Sequence, residues 1–144
     1  MMREILFRGK LIDNGELMEG AFLNDRDGAF CICPAVSDIS YGDSGARRSI
    51  GCWYKVDPST VGQYTGLNDK NGKRIFEGDI VDGHCHSAWS HRLQRCDIAY
   101  GRDGFEARNH IDGVDSDYYT YRVLFSKDVV IIGNIHDNPE LLEK

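Results

Sequence analysis

The sequence predicts a mainly β protein, a small barrel or sandwich of short antiparallel strands. Three observations predict it. Short β-prone runs recur along the chain, Gly, Asn and Asp turn signals separate them, and no apolar stretch repeats with a long helical period. At 144 residues the chain suits one domain, which would bury about 70% of its unfolded surface.

Ile5 to Ile12 is the first strand, and Asp13-Asn14-Gly15-Glu16 turns it into Leu17 to Leu23. Asp25-Arg26-Asp27-Gly28 turns again into Ala29 to Cys33, completing a three-stranded meander. Cys31 and Cys33 alternate onto one strand face and read as small core fillers. Pro34 to Gly51 is polar and rich in Gly and Ser, the composition of a long loop. Cys52 to Val56 is the next strand.

Val56 to Val81, VDPSTVGQYTGLNDKNGKRIFEGDIV, is the stretch around which the chain is organised. Asp57 caps a single helical turn that has Pro58 at its first position. Gly62 to Leu67 reads as a strand with glycines near both ends, where backbones approach closely. Asn68 to Lys73 is a loop whose Asn71-Gly72 pair accepts positive φ angles. Arg74 to Phe76 follows, and Glu77-Gly78-Asp79 turns the chain into Ile80-Val81.

Gly83 to Arg95 reads as a strand end and an extended loop. Cys96 to Tyr100 and Phe105 to Arg108 flank Gly101-Arg102-Asp103-Gly104 as a hairpin, and Tyr118 to Phe125 is a further strand. Val129-Val130-Ile131-Ile132 has the β-branched character of a buried strand. Asn138-Pro139 starts a short C-terminal helix through Leu142.

VDPSTVGQYTGLNDKNGKRIFEGDIV resembles the signature segment of the YopX family, small proteins of phages and prophages. Ile5 to Lys10 with Asp13 to Glu16 and Glu19-Gly20 resembles the family's start, and Ile132 to Leu142 resembles its tail. The resemblance implies one YopX-like domain over residues 1–144. It favours an SH3-like, partly open barrel over 57–137, with an N-terminal β-meander and long loop over 1–56 and a short helix over 138–143. It also implies self-association, with no established activity.

Composition excludes several classes. The charged fraction of 28% and apolar fraction of 41% are those of a globular protein. No apolar run approaches the roughly 20 residues of a membrane span. The N-terminus lacks a signal-peptide core, so a cytoplasmic protein is expected. Cys31, Cys33, Cys52, Cys85 and Cys96 are odd in number and form no disulfide framework, which reads as free thiols.

Each chemical motif meets a competing bland reading. Gly42-Asp43-Ser44-Gly45 matches the nucleophile of trypsin-like proteases, but the first histidine, His84, comes after the serine. Gly66 to Arg74 has one residue too many between its glycines for a phosphate-binding loop, and Arg74 stands where Ser or Thr is needed. His84, Cys85, His86, His91 and Cys96 are the residue types of a zinc site. On a strand, however, Cys85 would point away from His84 and His86, and an exposed histidine-bearing loop is the expectation. Asp112, Asp115 and Asp117 lack calcium-loop spacing and read as solvated acids. No metal or cofactor is expected.

The expected function is that of a non-enzymatic, self-assembling interaction module that contacts a host or phage protein. Trp53, Tyr54 and Tyr64 are its candidate aromatic anchors, with a place in the core as their competing reading. Residues 84–102 carry Arg92, Arg95 and Arg102 against Asp97. Residues 103–117 carry Asp103, Glu106, Asp112, Asp115 and Asp117 against Arg108. Such segments neutralise each other within a hairpin or pair between copies. The alternative is a single-stranded nucleic-acid-binding barrel using Arg47, Arg48, Arg92 and Arg95, which the net charge of −6 opposes. An enzyme is the remaining reading, with no recognisable set of nucleophile and base to support it.

Overall fold

Short polar side chains set the first reversals of the chain. Asn14 Oδ1 accepts the Glu16 amide at 2.9 Å, and Asp25 Oδ1 accepts the amides of Asp27 and Ala29 at 2.8 and 3.0 Å. These side-chain turns replace ladder bonds where the strands end. They join β1 (Phe7–Lys10), β2 (Leu17–Asn24) and β3 (Phe30–Cys33) into an antiparallel meander, as expected. The computed structural model describes residues 4–34, 40–41, 47–48, 53–84, 93–109 and 128–143. The segment read as a long loop contains a two-residue ladder of β4 (Ser40–Tyr41) with β5 (Arg47–Arg48).

The chain divides into two compact units, Met1–Gln63 and Tyr64–Lys144. In the first, β6 (Tyr54–Lys55) joins the free edge of β3, and Val56 then bridges back to Leu11. Ile12 N–H donates to the Lys55 carbonyl at 3.1 Å, and Asp57 N–H to the Lys10 carbonyl at 2.8 Å. The meander therefore curls until its last strand touches its first, through one bridge rather than a full ladder. Phe7, Phe22 and Phe30 stack in sequence with centroids 5.2 and 5.4 Å apart, and Ile32 and Val56 are fully buried.

The expected cap is present. Asp57 Oδ1 accepts the Ser59 amide at 3.0 Å at the head of a 3-10 turn, Pro58–Thr60. Thr60 Oγ1 donates to the Asp57 carbonyl at 2.6 Å and accepts the Lys10 amide at 2.9 Å, tying the turn to β1.

The strand β7 (Gly62–Asn68) leads into the second unit, where it pairs with β8 (Arg74–Phe76). There β9 (Asp79–His84), β10 (Leu93–Tyr100), β11 (Phe105–Asn109) and β12 (Val130–Asn134) form one antiparallel sheet in the order β11-β10-β9-β12. Among the described residues β11 and β12 do not pair with each other, so this sheet is open. The fold is mainly β and made of antiparallel sheets, and neither unit closes into a complete barrel. Ile75, Val81, Cys96, Ile98, Ala107 and Val129 form the core of this unit, with Leu67, Phe105 and Ile131 against it.

Two details differ from the sequence reading. β10 begins at Leu93, opposite His84, so strand pairing extends into the stretch read as a loop. The C-terminal turn Pro139–Leu142 is a 3-10 turn, and Asn138 does not cap it; Asn138 Oδ1 instead accepts the Asn134 amide at 3.3 Å. The expected strand from Tyr118 to Phe125 lies outside the described residues. Among the described residues no helix is long and apolar enough to cross a membrane.

Candidate functional site

The signature segment holds the most ordered polar chemistry of the described residues, and Asp69 is its centre. Asp69 Oδ1 accepts the amides of Asn71 and Lys73, each at 2.9 Å, while its amide donates to the Lys73 carbonyl at 2.8 Å. The expected positive-φ turn is there, with Gly72 at +81°. The other carboxylate oxygen reaches out of the loop and accepts the Ile131 amide at 3.2 Å. Lys70 N–H donates to the Val129 carbonyl at 2.9 Å. The loop thus occupies backbone groups on the side of β12 away from β9, which would otherwise be an exposed edge carrying Val129-Val130-Ile131-Ile132.

Neighbouring polar groups act in the same way. Tyr64 pairs with Phe76 and Asn68 with Arg74, so β7 spends four residues where β8 spends two. Gly66 absorbs the difference at a φ of +87°, a conformation open to Gly at no steric cost. Sequence reading took this glycine for a strand end; it is the pivot of a bulge. Thr65 Oγ1 restores the interrupted bonding by donating to the Ile75 carbonyl at 2.8 Å and accepting the Leu67 amide at 3.2 Å. Asp79, 1% exposed, accepts the Phe76 amide at 2.8 Å across the Glu77-Gly78 turn. Gly78 N–H donates to the Ile98 carbonyl at 2.7 Å, and the Gly78 carbonyl accepts the Ile135 amide at 2.9 Å. Asn134 Oδ1 accepts the amides of His136 and Asp137 at 3.0 and 2.9 Å, and its Nδ2 donates to Asp137 at 3.0 Å.

The residues singled out from the sequence meet different fates. Tyr64 is a core residue, 6% exposed and 5.5 Å from Phe76, its hydroxyl donating to Asn68 Oδ1 at 2.6 Å. Arg74 lies over its ring at 5.9 Å. Tyr64→Phe is expected to cost about 1 kcal/mol, the worth of one such hydrogen bond, measured as a lower denaturant midpoint. Tyr54 is 40% exposed on the two-residue strand β6, and Trp53 beside it is partly exposed.

Cys31 and Cys33 are buried free thiols on β3, as expected of core fillers. Cys96 is fully buried in the core with Ile75, Val81 and Ile98 and forms no disulfide among the described residues. His84 pairs with Leu93 through the backbone, and Cys85, His86 and His91 lie outside the described residues. So do Cys52, Cys85's fellow unplaced thiol, and the acids Asp112, Asp115 and Asp117.

Arg47 and Arg48 are on β5 in the first unit, Arg92 is outside the described residues, and Arg95 is on β10 in the second unit. Arg95 stands opposite Asp82 in the ladder, and its Nη1 donates to the Leu141 carbonyl at 3.3 Å. Among the described residues Asp82 Oδ1 is buried without a hydrogen-bond partner. Arg108 pairs with Glu106 at 2.8 Å on its own strand, and that hydrogen bond holds its guanidinium pKa above the ordinary value despite partial desolvation. Both residues belong to the acidic segment 103–117, so this pair is not a neutralisation of that segment by the basic one.

Sequence reasoning missed one exposed feature. Tyr100 and Phe105 are directly paired at the end of the β10–β11 hairpin, their rings edge to face at 5.2 Å and 87°. Phe105 packs on the core cluster while Tyr100 remains 60% exposed. The signal was available, since the two aromatics flank the four-residue turn symmetrically.

Comparison with known proteins agrees with this architecture. No curated protein matches the chain. The crystal structure of protein EF1440 from Enterococcus faecalis is similar at 30% identity with a TM-score of 0.62, covering 99% of this chain and 100% of that one. The family model for the YopX protein matches residues 34–143, which takes in the whole signature segment, and the chain belongs to the YopX family.

Proposed function

We propose that the protein is a non-enzymatic interaction module of phage or prophage origin, acting in the cytoplasm, that associates with itself and contacts a host or phage protein. The observation that carries this reading is the use made of polar side chains in the signature segment. Asp69, Asp79 and Thr65 each bond backbone groups of turns, a bulge or a strand edge. Groups held in this way are already committed to the fold and are poor candidates for proton transfer or nucleophilic attack. Family membership supports the phage or prophage origin.

Light scattering on the full chain at micromolar concentration and low salt tests the reading. A molar mass above that of one chain, falling as salt is added, is the expected result. A monomeric mass throughout would count against it.

A further inference from the structure

We propose that two copies of this chain meet at the tip of the β10–β11 hairpin, with Tyr100 at the centre of the contact. The proposal rests on the self-association reading and assigns it a surface.

Among the described residues of the second unit Tyr100 is the most exposed large apolar side chain, and it sits on a firm base. Its ring meets Phe105 edge to face, and Phe105 packs on the buried cluster that includes Ile98 and Ala107. The turn behind the pair is closed by Gly101 N–H donating to the Gly104 carbonyl at 2.6 Å. An aromatic held in place before association loses little freedom on binding, which is the character of an interface anchor.

The charges at the tip indicate a second copy as the occupant. Arg102 and Asp103 are adjacent in the turn and both exposed. A two-fold axis through the tip brings Arg102 of one copy to Asp103 of the other, and the same contact recurs on the other side of the axis. The net charge of −6 opposes association of two copies at arbitrary faces, so a locally neutral tip is favoured. The Glu106 carboxylate lies against Gly101 of the turn but is paired with Arg108, so that pair leaves the tip neutral as a whole.

Sedimentation velocity on the full chain over a concentration series tests the surface. Tyr100→Ser, Arg102→Asp and Asp103→Arg are each expected to raise the dissociation constant about tenfold or more. The unfolding midpoints of the two turn variants should stay close to that of the unaltered chain, because these side chains are exposed. Tyr100→Ser loses its ring contact with Phe105 and should unfold at a modestly lower midpoint. The double variant carrying Arg102→Asp and Asp103→Arg should recover association, since the swapped pair is again self-complementary. If the unaltered chain associates and all three single variants match it within about twofold, the hairpin tip is not the contact although self-association stands. If the unaltered chain is monomeric at every concentration, the self-association reading fails and this surface with it.

Discussion

Asp69→Ala is expected to be among the most damaging single substitutions in the signature segment. One carboxylate receives the amides of Asn71, Lys73 and Ile131, and removing it leaves three donors without their acceptor. Hydrogen bonds to a charged acceptor are stronger than neutral ones, and a buried donor left unsatisfied costs its desolvation. A loss of about 3 kcal/mol is expected, a large part of the stability of a small domain. Asp69→Asn separates the two roles of the side chain. Its carbonyl oxygen can still serve Asn71 and Lys73, but its amide group would then face the Ile131 N–H, donor against donor. The Asn variant should therefore fall between the native chain and the Ala variant in denaturant midpoint, with the loss concentrated at β12. Equal stability of all three chains would remove Asp69 from the framework.

Gly20→Ala is expected to cost a comparable amount in the first unit for a different reason. Gly20 pairs with Phe7 just before β2 begins its ladder with β3. A methyl group there would run into the carbonyl carbon and oxygen of Cys33 and lie 2.9 Å from the Pro34 Cα. These are backbone atoms that cannot rotate away, so β2 and β3 must part. Overpacking of this kind costs about 3 kcal/mol at its upper ordinary range. Gly15→Ala is the control. Its methyl would meet nothing within 4 Å, but its φ of +72° is left-handed, and a cost of about 1 kcal/mol is expected from conformation alone. Thermal or denaturant unfolding that ranks Gly15→Ala as the worse variant would contradict this account.

The turns were the most legible part of the sequence, because their chemistry is local. Asn14, Asp25 and Asp57 each bond an amide two residues on, and that pattern can be read without knowing the fold. The segment's identity as YopX was equally legible, since its residues occur in an unbroken string. What the sequence could not reveal was where the long-range partners lie. Asp69 looked like one polar residue among several in Asn68 to Lys73, yet one of its oxygens bonds Ile131, 62 residues away. Tyr64 and Tyr100 are equally aromatic and equally strand-placed. Only packing separates them, with Tyr64 against Phe76 in the interior and Tyr100 at an exposed hairpin end. Cys96 carried a ligand's residue type in the sequence, and its alternation with Ile98 places both on the core face.

The central claim is that the family's signature segment is a framework in which the Asp69 carboxylate seals a sheet edge. Native-state amide hydrogen exchange tests it most directly, because loop amides and the outward amides of an edge strand ordinarily exchange early. The Lys73 and Ile131 amides, both held by Asp69, are expected to exchange as slowly as the ladder between β9 and β10, and Asp69→Ala should accelerate both together. Fast exchange of these two amides in the native chain, with the β9–β10 ladder still protected, would contradict the claim.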